Sequence, residues 1–247
     1  MEKPLIYPVG STAACRYAAF YLNKAGFSLV DHPTPEITHL LLDIPSFGSD
    51  GLLRSGGDIR DLLRMLPHEI CVVGGNLNHP ALDGYKTMDF LADEEYLAEN
   101  AAITADCALQ IAAPLLTTTL QRSPALVIGW GRIGKCLAKL LHAIGNDVTV
   151  FARKERDRAM LKALGYHAVS DFDLSRYRIV FNTAPAVVLD ENVSAAYRNC
   201  IKIDLASKRG IEGDDVVWAR GLPGIHAPET SGDLISQTFI RLSKEER

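Results

Sequence analysis

Short blocks of apolar residues alternate with amphipathic stretches along the first hundred positions of the 247-residue chain. Runs with the length of a buried strand stand at 5–7, 27–30, 39–42 and 70–73. Stretches with the apolar spacing of a helix lie between them, at 13–25 and 59–65. This alternation predicts an α/β lobe over residues 1–98. The turn at 74–76, after the last of these runs, is either a ligand loop or a simple turn.

Residues 93–120 lack glycine and strand-like alternation, and apart from Pro114 they have the Ala-rich and Leu-rich character of one long helix. We therefore predict a connecting helix over 99–120 between the first lobe and a second α/β domain over 121–232. A last amphipathic stretch at 234–242 predicts a C-terminal helix, within 233–247, that packs back on the first lobe.

A glycine-rich motif follows the apolar strand 125–128 directly and precedes a helical run at 135–144. Gly129 permits a tight turn, Gly131 lets the backbone approach a pyrophosphate, and Gly134 lets the helix lie close to the sheet. With a second strand at 147–151, the unit has the length of a Rossmann βαβ unit of about 30 residues. The predicted phosphate-binding residues are Gly129, Trp130, Gly131, Arg132, Ile133 and Gly134. The alternative is a tight turn with only a structural role.

The end of the second strand indicates which dinucleotide binds. An acid about 20 residues after the motif usually holds a free ribose 2′-hydroxyl, but here Ala152 is followed by Arg153 and Lys154. Cations suit a 2′-phosphate, so NADP is favoured over NAD. Glu155 and Asp157 can pair with these cations, and a solvated surface turn is the competing interpretation.

Two later strand ends in the second domain are polar or flexible, after 178–181 and 201–205. Carboxyl ends of parallel strands border the ligand crevice of such sheets, so we expect these segments to border the nicotinamide half of the cofactor. The residues concerned are Asn182, Thr183, Ala184, Leu205, Ala206 and Ser207. The expected fold is therefore α/β, with a C-terminal Rossmann domain and a smaller N-terminal flavodoxin-like lobe joined by a long helix.

Composition narrows the class of partner. A net charge of -4 gives no excess of cations for a nucleic-acid backbone, so a small molecule is the expected ligand. The five cysteines are scattered without metal-ligand spacing, so we expect no metal and read them as reduced thiols. No apolar run has the length of a membrane helix or a signal sequence, and the expected location is cytoplasmic.

Four segments resemble the A subunit of bacterial dipicolinate synthase: the run 203–207, Asn182-Thr183-x-Pro185, the Gly-Leu-Pro-Gly-Ile-x-Ala-Pro-x-Thr stretch at 221–230, and Asn100-x-x-x-Thr104-x-Asp106. The first lobe departs from that family, because Tyr7 leads into Pro8-Val9-Gly10-Ser11-Thr12 where the family has Gly-Gly-Asp. The resemblance implies NADP-dependent oxidation of dihydrodipicolinate to dipicolinate during sporulation. It also implies a partner, a flavoprotein-like B subunit. We further expect a homo-oligomer.

The layout also looks like that of the D-2-hydroxyacid dehydrogenases, in which two lobes face each other across a cleft. Two substrate carboxylates require cations, hydroxyls or a helix N-terminus. The substrate-binding candidates are Thr104, Arg209, Thr230 and Ser231, together with Lys208. His226 is a candidate proton acceptor, in what reads as a loop, and Asp106 is a candidate for orienting a neighbouring group. We count Lys208 with these two as catalytic candidates, although Asp106 also suits an exposed helix surface.

Two other functions remain open. The first is a dehydrogenase of another 2-hydroxy or 2-oxo acid, and the second is a subunit that binds NADP without catalysing a reaction. Both remain because a Rossmann domain does not determine the chemistry.

Overall fold

The computed structural model describes residues 4–245, which form two compact units. The first unit contains the residues up to Asn100 and those from Pro223 onward, and the second contains Ala101–Leu222. The chain therefore leaves the first unit and returns to it. We describe each unit by itself.

Residues 4–112 supply five strands and three helices. In chain order they are β1 (Leu5–Pro8), α1 (Ala13–Lys24), β2 (Ser28–Leu29), β3 (His39–Leu41), α2 (Ile59–Leu63), β4 (Cys71–Gly74), β5 (Lys86–Asp89) and α3 (Glu94–Ala112). The strands form one parallel sheet in the order β2-β1-β3-β4-β5. This is the flavodoxin order, so the predicted fold of the first lobe is confirmed.

Both faces of this sheet are buried because successive side chains of a strand point to opposite sides. Leu41 and Val73 belong to the core cluster that contains α1. Their neighbours Leu40 and Val72 belong to the other cluster, together with Ile59 of α2. The continuous apolar runs in the sequence are explained by this two-sided burial.

The connecting helix predicted over 99–120 has different bounds, since α3 runs from Glu94 to Ala112. Asp93 caps its start, because its Oδ1 accepts a hydrogen bond of 2.7 Å from the Tyr96 N–H. Pro114 ends it, since proline cannot donate the hydrogen bond that an α-helix needs at that position. Short 3₁₀ turns follow at Ala113–Leu115 and Leu120–Arg122.

The second unit contains six strands and three helices of its own. They are β6 (Ala125–Ile128), α4 (Arg132–Ala143), β7 (Val148–Phe151), α5 (Glu155–Ala163), β8 (His167–Val169), β9 (Ile179–Asn182), α6 (Glu191–Ala196), β10 (Ile201–Asp204) and β11 (Val216–Trp218). The sheet is parallel, in the order β11-β10-β9-β6-β7-β8. Counted from β6, this is the Rossmann order 3-2-1-4-5-6, which confirms the predicted fold of this domain.

The chain ends in α7 (Leu222–His226) and α8 (Pro228–Glu245). The stretch 221–230 is therefore mostly helical and not a loop, and the last helix begins five residues before position 233. Proline is suited to the first helical position, where its missing N–H costs nothing. Helix α8 packs on α1, since a Cβ at Gly232 would collide with Tyr17 and the Ala14 carbonyl oxygen. Phe239 also meets Phe27 edge to face, with ring centroids 5.6 Å apart.

Candidate dinucleotide-binding site

The turn after β6 depends on two glycines. Gly129 has a φ of +106°, a conformation that other residues adopt only with strain, and its N–H donates to the Phe151 carbonyl at 3.0 Å. A Cβ at Gly134 would collide with the Gly129 carbonyl oxygen. The turn can therefore fold back against the first turn of α4 only with glycine at both positions.

Gly131 has a different role, because a Cβ there would have no atom within 4 Å apart from those of its two chain neighbours. It is the N-cap of α4, and no side chain caps the helix within the described chain. The first intrahelical bond joins the Lys135 N–H to the Gly131 carbonyl at 3.0 Å. The amides of Ile133 and Gly134 precede that bond and have no partner one turn earlier in the helix. Exposed glycine and helix N-terminus together leave room for a phosphate-sized anion.

Thr183 holds this turn from the neighbouring strand end. Its N–H and its Oγ1 both donate to the Ile128 carbonyl oxygen, at 2.8 and 2.9 Å. The same Oγ1 lies 2.6 Å from the place of a Cβ on Gly129 and 3.0 Å from that on Gly134. The hydroxyl predicted to border the cofactor therefore has a structural partner and fixes the shape of the glycine turn.

A buried carboxylate joins the two other strand ends. Asp204 is fully buried, and its Oδ1 accepts hydrogen bonds from Asn182 Nδ2 at 2.9 Å and from the Ala206 N–H at 3.0 Å. Its Oδ2 accepts from the N–H groups of Gly210 and Ile211, at 2.6 and 2.9 Å. Four donors thus converge on one side chain, which ties the segment after β9 to the segment after β10.

Sequence reasoning missed this role of Asp204. The available signal was an acid at the end of one predicted strand and an Asn at the end of the preceding one. Asn182, predicted to border the cofactor, is itself fully buried and uses its amide on Asp204 and on Ala184. Ser207 is exposed, while Leu205 and Ala206 are buried.

The end of β7 is positively charged. Ala152 is buried, whereas Arg153 and Lys154 are exposed and have no acid within ion-pair distance in the described part of the chain. Asp157, one of the two acids that the sequence offered as partners, instead lies 3.6 Å from Arg156 Nε. The strand end therefore carries two uncompensated cations.

Arg158 shapes the same turn. Its Nη1 donates to the carbonyl oxygens of Ala152 and Arg153, at 2.8 and 2.6 Å. A side chain from the first part of α5 thus braces the backbone that carries Arg153, and it adds a third positive charge nearby.

Trp130, inside the glycine motif, contacts two other side chains. Its ring meets Tyr166 at 5.8 Å between centroids, and Lys135 Nζ lies 5.9 Å from its ring centroid. Two other residues of the motif, Arg132 and Ile133, are respectively exposed and half-buried in the first turn of α4.

The three catalytic candidates occupy separate places. Asp106 is exposed on α3 and accepts a hydrogen bond of 2.9 Å from Gln110 Nε2, which is the exposed-helix alternative considered above. Lys208 is exposed in the segment after β10. His226 is exposed at the end of α7, so it lies in a helix where a loop was predicted. His226 belongs to the first unit, and the other two belong to the second.

The substrate-binding candidates differ in how accessible they are. Arg209 is engaged within its own loop, with Nε donating to the Ile211 carbonyl at 3.1 Å and Nη2 to the Gly213 carbonyl at 2.6 Å. Thr104 is buried in α3. Ser231 is buried in the first turn of α8, and its N–H already donates to the Ala227 carbonyl at 2.9 Å. Thr230 is exposed, as is Arg209 despite its contacts.

At the strand ends of the first unit, carboxylates of the same unit accept hydrogen bonds from backbone N–H groups. Asp43 is buried, and its two oxygens accept from the N–H groups of Ser11 and Thr12 at the start of α1, at 2.9 and 3.0 Å. Burial and, secondly, the charge of Asp43 raise the pKa of Cys15 to about 12. The backbone N–H of Asn76, in the turn at 74–76, likewise donates to Asp89 Oδ1 at 3.0 Å. This turn is therefore built from internal contacts.

Residues 4–245 contain neither a metal-binding cluster nor a disulfide. No group of three or more His, Cys, Asp or Glu side chains is placed to hold a metal ion there. All five cysteines are unpaired, and four of them are buried. No described helix is long and apolar enough to span a membrane.

Comparison with known proteins supports the resemblance carried by the four sequence segments. No protein-family model matches the chain. The chain is 23% identical to the A subunit of dipicolinate synthase of Bacillus subtilis (strain 168), covering 89% of this chain and 86% of that protein. The crystal structure of the corresponding dipicolinate synthase subunit from Bacillus halodurans matches with a TM-score of 0.80 and 20% identity, over 97% of each chain. The apo-structure of D-lactate dehydrogenase from Escherichia coli matches with a TM-score of 0.58 and 16% identity, over 99% of this chain and 97% of that one. The predicted resemblance to the A subunit of dipicolinate synthase is thus confirmed.

Proposed function

We propose that this protein is an NADP-dependent oxidoreductase similar to the A subunit of dipicolinate synthase, and that it oxidises dihydrodipicolinate to dipicolinate for the endospore. The observation that carries the proposal is the open glycine turn at Gly131 together with the unpaired cations Arg153 and Lys154 at the next strand end. The similarity to that dipicolinate synthase subunit over most of both chains supports the choice of substrate.

The residues present fit a nicotinamide dinucleotide. The pyrophosphate would lie at Gly131 and the first turn of α4, where helix amides and an uncapped N-terminus favour an anion. The ribose of the adenosine half would lie at the end of β7, and the nicotinamide half would border the segments after β9 and β10. Asp204 keeps those two segments in one arrangement.

Recognition of NADP over NAD would come from the end of β7. No carboxylate is present at Ala152 to accept a 2′-hydroxyl, and Arg153 and Lys154 supply charge for a 2′-phosphate. Because Asp157 pairs with Arg156, it does not neutralise these two cations.

The reaction removes a hydride and a proton from the dihydropyridine ring, and NADP⁺ supplies the hydride acceptor. The products are dipicolinate, NADPH and a proton. Aromatisation of the ring favours the reaction, so the main task of the protein is to hold two carboxylates and the ring beside the cofactor. Of the predicted carboxylate ligands, Lys208 and Thr230 have exposed side chains, whereas Arg209 is engaged with its own loop.

The wider biological role belongs to the same proposal. The relative from B. subtilis is named as one subunit of its enzyme, so we infer that this chain also works with a B subunit. We further propose a homo-oligomeric, cytoplasmic enzyme.

Binding calorimetry with NADP and NAD tests the cofactor assignment. Arg153→Ala should weaken NADP binding about tenfold or more, as expected for loss of a charged contact to phosphate, and leave NAD binding nearly unchanged. Arg156→Ala is the matched control, because that arginine already faces Asp157. Equal losses for the two cofactors with Arg153→Ala would show that Arg153 does not contact the 2′-phosphate.

Turnover tests the activity itself. Freshly made dihydrodipicolinate and NADP⁺ should give NADPH, measured with and without the B subunit.

A second candidate function is a subunit that binds NADP without catalysing a reaction. It is favoured by the strand ends of the first unit, because Asp43 and Asp89 already accept hydrogen bonds from the backbone N–H groups that could bind a substrate there. Tight NADP binding without NADPH formation under either condition would support this function and refute the enzymatic one.

A further inference from the structure

We propose that Trp218, Arg220 and Lys208 form the subsite for the planar, anionic ring of the substrate. This inference rests on the proposed function, because it names residues that would hold the dicarboxylate. It assigns a role to Trp218, which belongs to none of the motifs recognised in the sequence.

The three residues lie at or just beyond the carboxyl ends of two neighbouring strands. β10 and β11 are parallel, and Trp218 is in register with Asp204, the last residue of β10. Lys208 lies four residues beyond Asp204, and Arg220 lies two residues beyond Trp218. In a parallel sheet these ends lie at the same edge. β11 is two strands away from β9, which is about 10 Å at the usual spacing of about 4.8 Å per strand. The subsite thus lies on the side of the sheet where the nicotinamide half is expected.

The indole of Trp218 is held in place although it is partly exposed. Its Nε1 donates to the Ala206 carbonyl at 3.4 Å, which anchors the ring to the segment after β10. The guanidinium carbon of Arg220 lies 5.4 Å from the ring centroid, within the range of a cation–π contact. Even so, 44% of the residue is exposed. A large aromatic side chain fixed at a strand end provides a flat surface for another ring.

The basic residues of this segment divide into two groups. Lys202 is fully buried and donates to Asp215 Oδ2 at 2.7 Å, and Arg209 donates to two carbonyls of its own loop. These two stabilise the fold. Lys208 and Arg220 are exposed and have no acid within 4.0 Å in the described chain, so their charges are available to a ligand.

Together these groups suit a flat ring that carries carboxylates. The indole can stack on the ring, and a guanidinium and an ammonium can each take a carboxylate oxygen. A saturated ring of the same charge would keep the ionic contacts and lose the stacking. Because the substrate ring becomes aromatic during the oxidation, a flat surface also favours the product-like state over the starting one.

Calorimetry on the NADP-loaded protein tests this subsite with two dianionic probes, the planar pyridine-2,6-dicarboxylate and the saturated cis-cyclohexane-1,3-dicarboxylate. We expect the planar probe to bind about tenfold more tightly, a preference that stacking can supply. Trp218→Leu should abolish the preference while leaving binding of the saturated probe nearly unchanged. Arg220→Gln should weaken both probes about tenfold through loss of a charged contact.

Matched controls separate these effects from general damage. Phe20→Leu removes an exposed aromatic side chain from the first unit, and Arg176→Gln removes an exposed cation elsewhere in the second. Neither should change the affinity for either probe. A cooperative thermal unfolding transition checks that each variant is folded.

Two outcomes would overturn the inference. The first is that Trp218→Leu keeps the wild-type preference for the planar probe and Arg220→Gln keeps the wild-type affinity for both probes. The second is that the planar probe does not bind the NADP-loaded wild-type protein. NADP affinity, measured separately on every variant, distinguishes this failure from failure of the proposed function. If NADP binds normally and only the probe data disagree, the subsite is wrong and the cofactor assignment stands. If NADP does not bind the wild-type protein, the proposed function fails as well.

Discussion

Substituting Asp204 with Asn tests whether one buried side chain holds the two segments that border the nicotinamide half. Each oxygen of Asp204 accepts two hydrogen bonds, so a carboxamide NH₂ in either orientation would face two donors. Leaving a buried donor without a partner costs about 1–3 kcal/mol, so two of them cost about 2–6 kcal/mol. That is a large part of the 5–15 kcal/mol by which a domain is typically stable. Rotating the Asn182 amide gives no relief, since its other contacts are with the N–H and C=O of Ala184.

Urea unfolding at neutral pH measures the first effect, and calorimetry with NADP measures the second. We expect the free energy of unfolding to fall by about 3 kcal/mol and the affinity for both nicotinamide cofactors to fall about tenfold, because unpaired donors loosen both segments. Asp147→Asn is the charge-matched control, since Asp147 is exposed in the same unit. A loss below about 1 kcal/mol, with unchanged cofactor affinity, would refute the reasoning, because one unpaired donor alone should cost that much.

Two further predictions follow from single side chains. Thr183→Val removes the hydroxyl that donates to the Ile128 carbonyl, so calorimetry should show NAD and NADP binding weakened by the same factor; a loss confined to NADP would contradict the role given to Thr183. His39 should make the stability of the first unit depend on pH, because burial and, secondly, the charge of Lys86 lower its pKa to about 4 from 6.5. The unfolded chain takes up a proton near pH 6.5 and the folded chain does not, so stability is complete above that pH and falls as pH drops towards 4, by at most about 3 kcal/mol. Urea midpoints between pH 7 and 5 should show this slope in the wild type and a shallower one in His39→Gln; equal slopes would exclude His39 as the source.

The central strands of both sheets were predictable from sequence because they are buried on both faces. β1, β3, β4, β6 and β9 appear as apolar runs, and β6 was located to the residue. The outer strands β5, β8 and β11 are partly exposed, so they lack such a run. Prolines caused the main errors in helix bounds, because Pro114 ends a helix predicted to continue and Pro228 begins one within a predicted loop.

The candidate site was only partly predictable for a different reason. The glycine motif and the cations at the end of β7 are local patterns, so sequence spacing reveals them. The Asp204 network joins residues 22 positions apart, and the Arg158 contacts depend on how α5 turns back over the strand end. The exposure of Trp218 is likewise a property of the folded sheet edge.

The return of the chain to its first unit affects how the protein can fold as it is synthesised. Ala101–Leu222 is a continuous segment and can fold as soon as it leaves the ribosome. The earlier unit lacks Gly232, Ile235 and Phe239 of α8 until the whole second unit has been translated, although these residues fill its core against α1 and β3. Of the two units, the one whose synthesis begins first is therefore completed second.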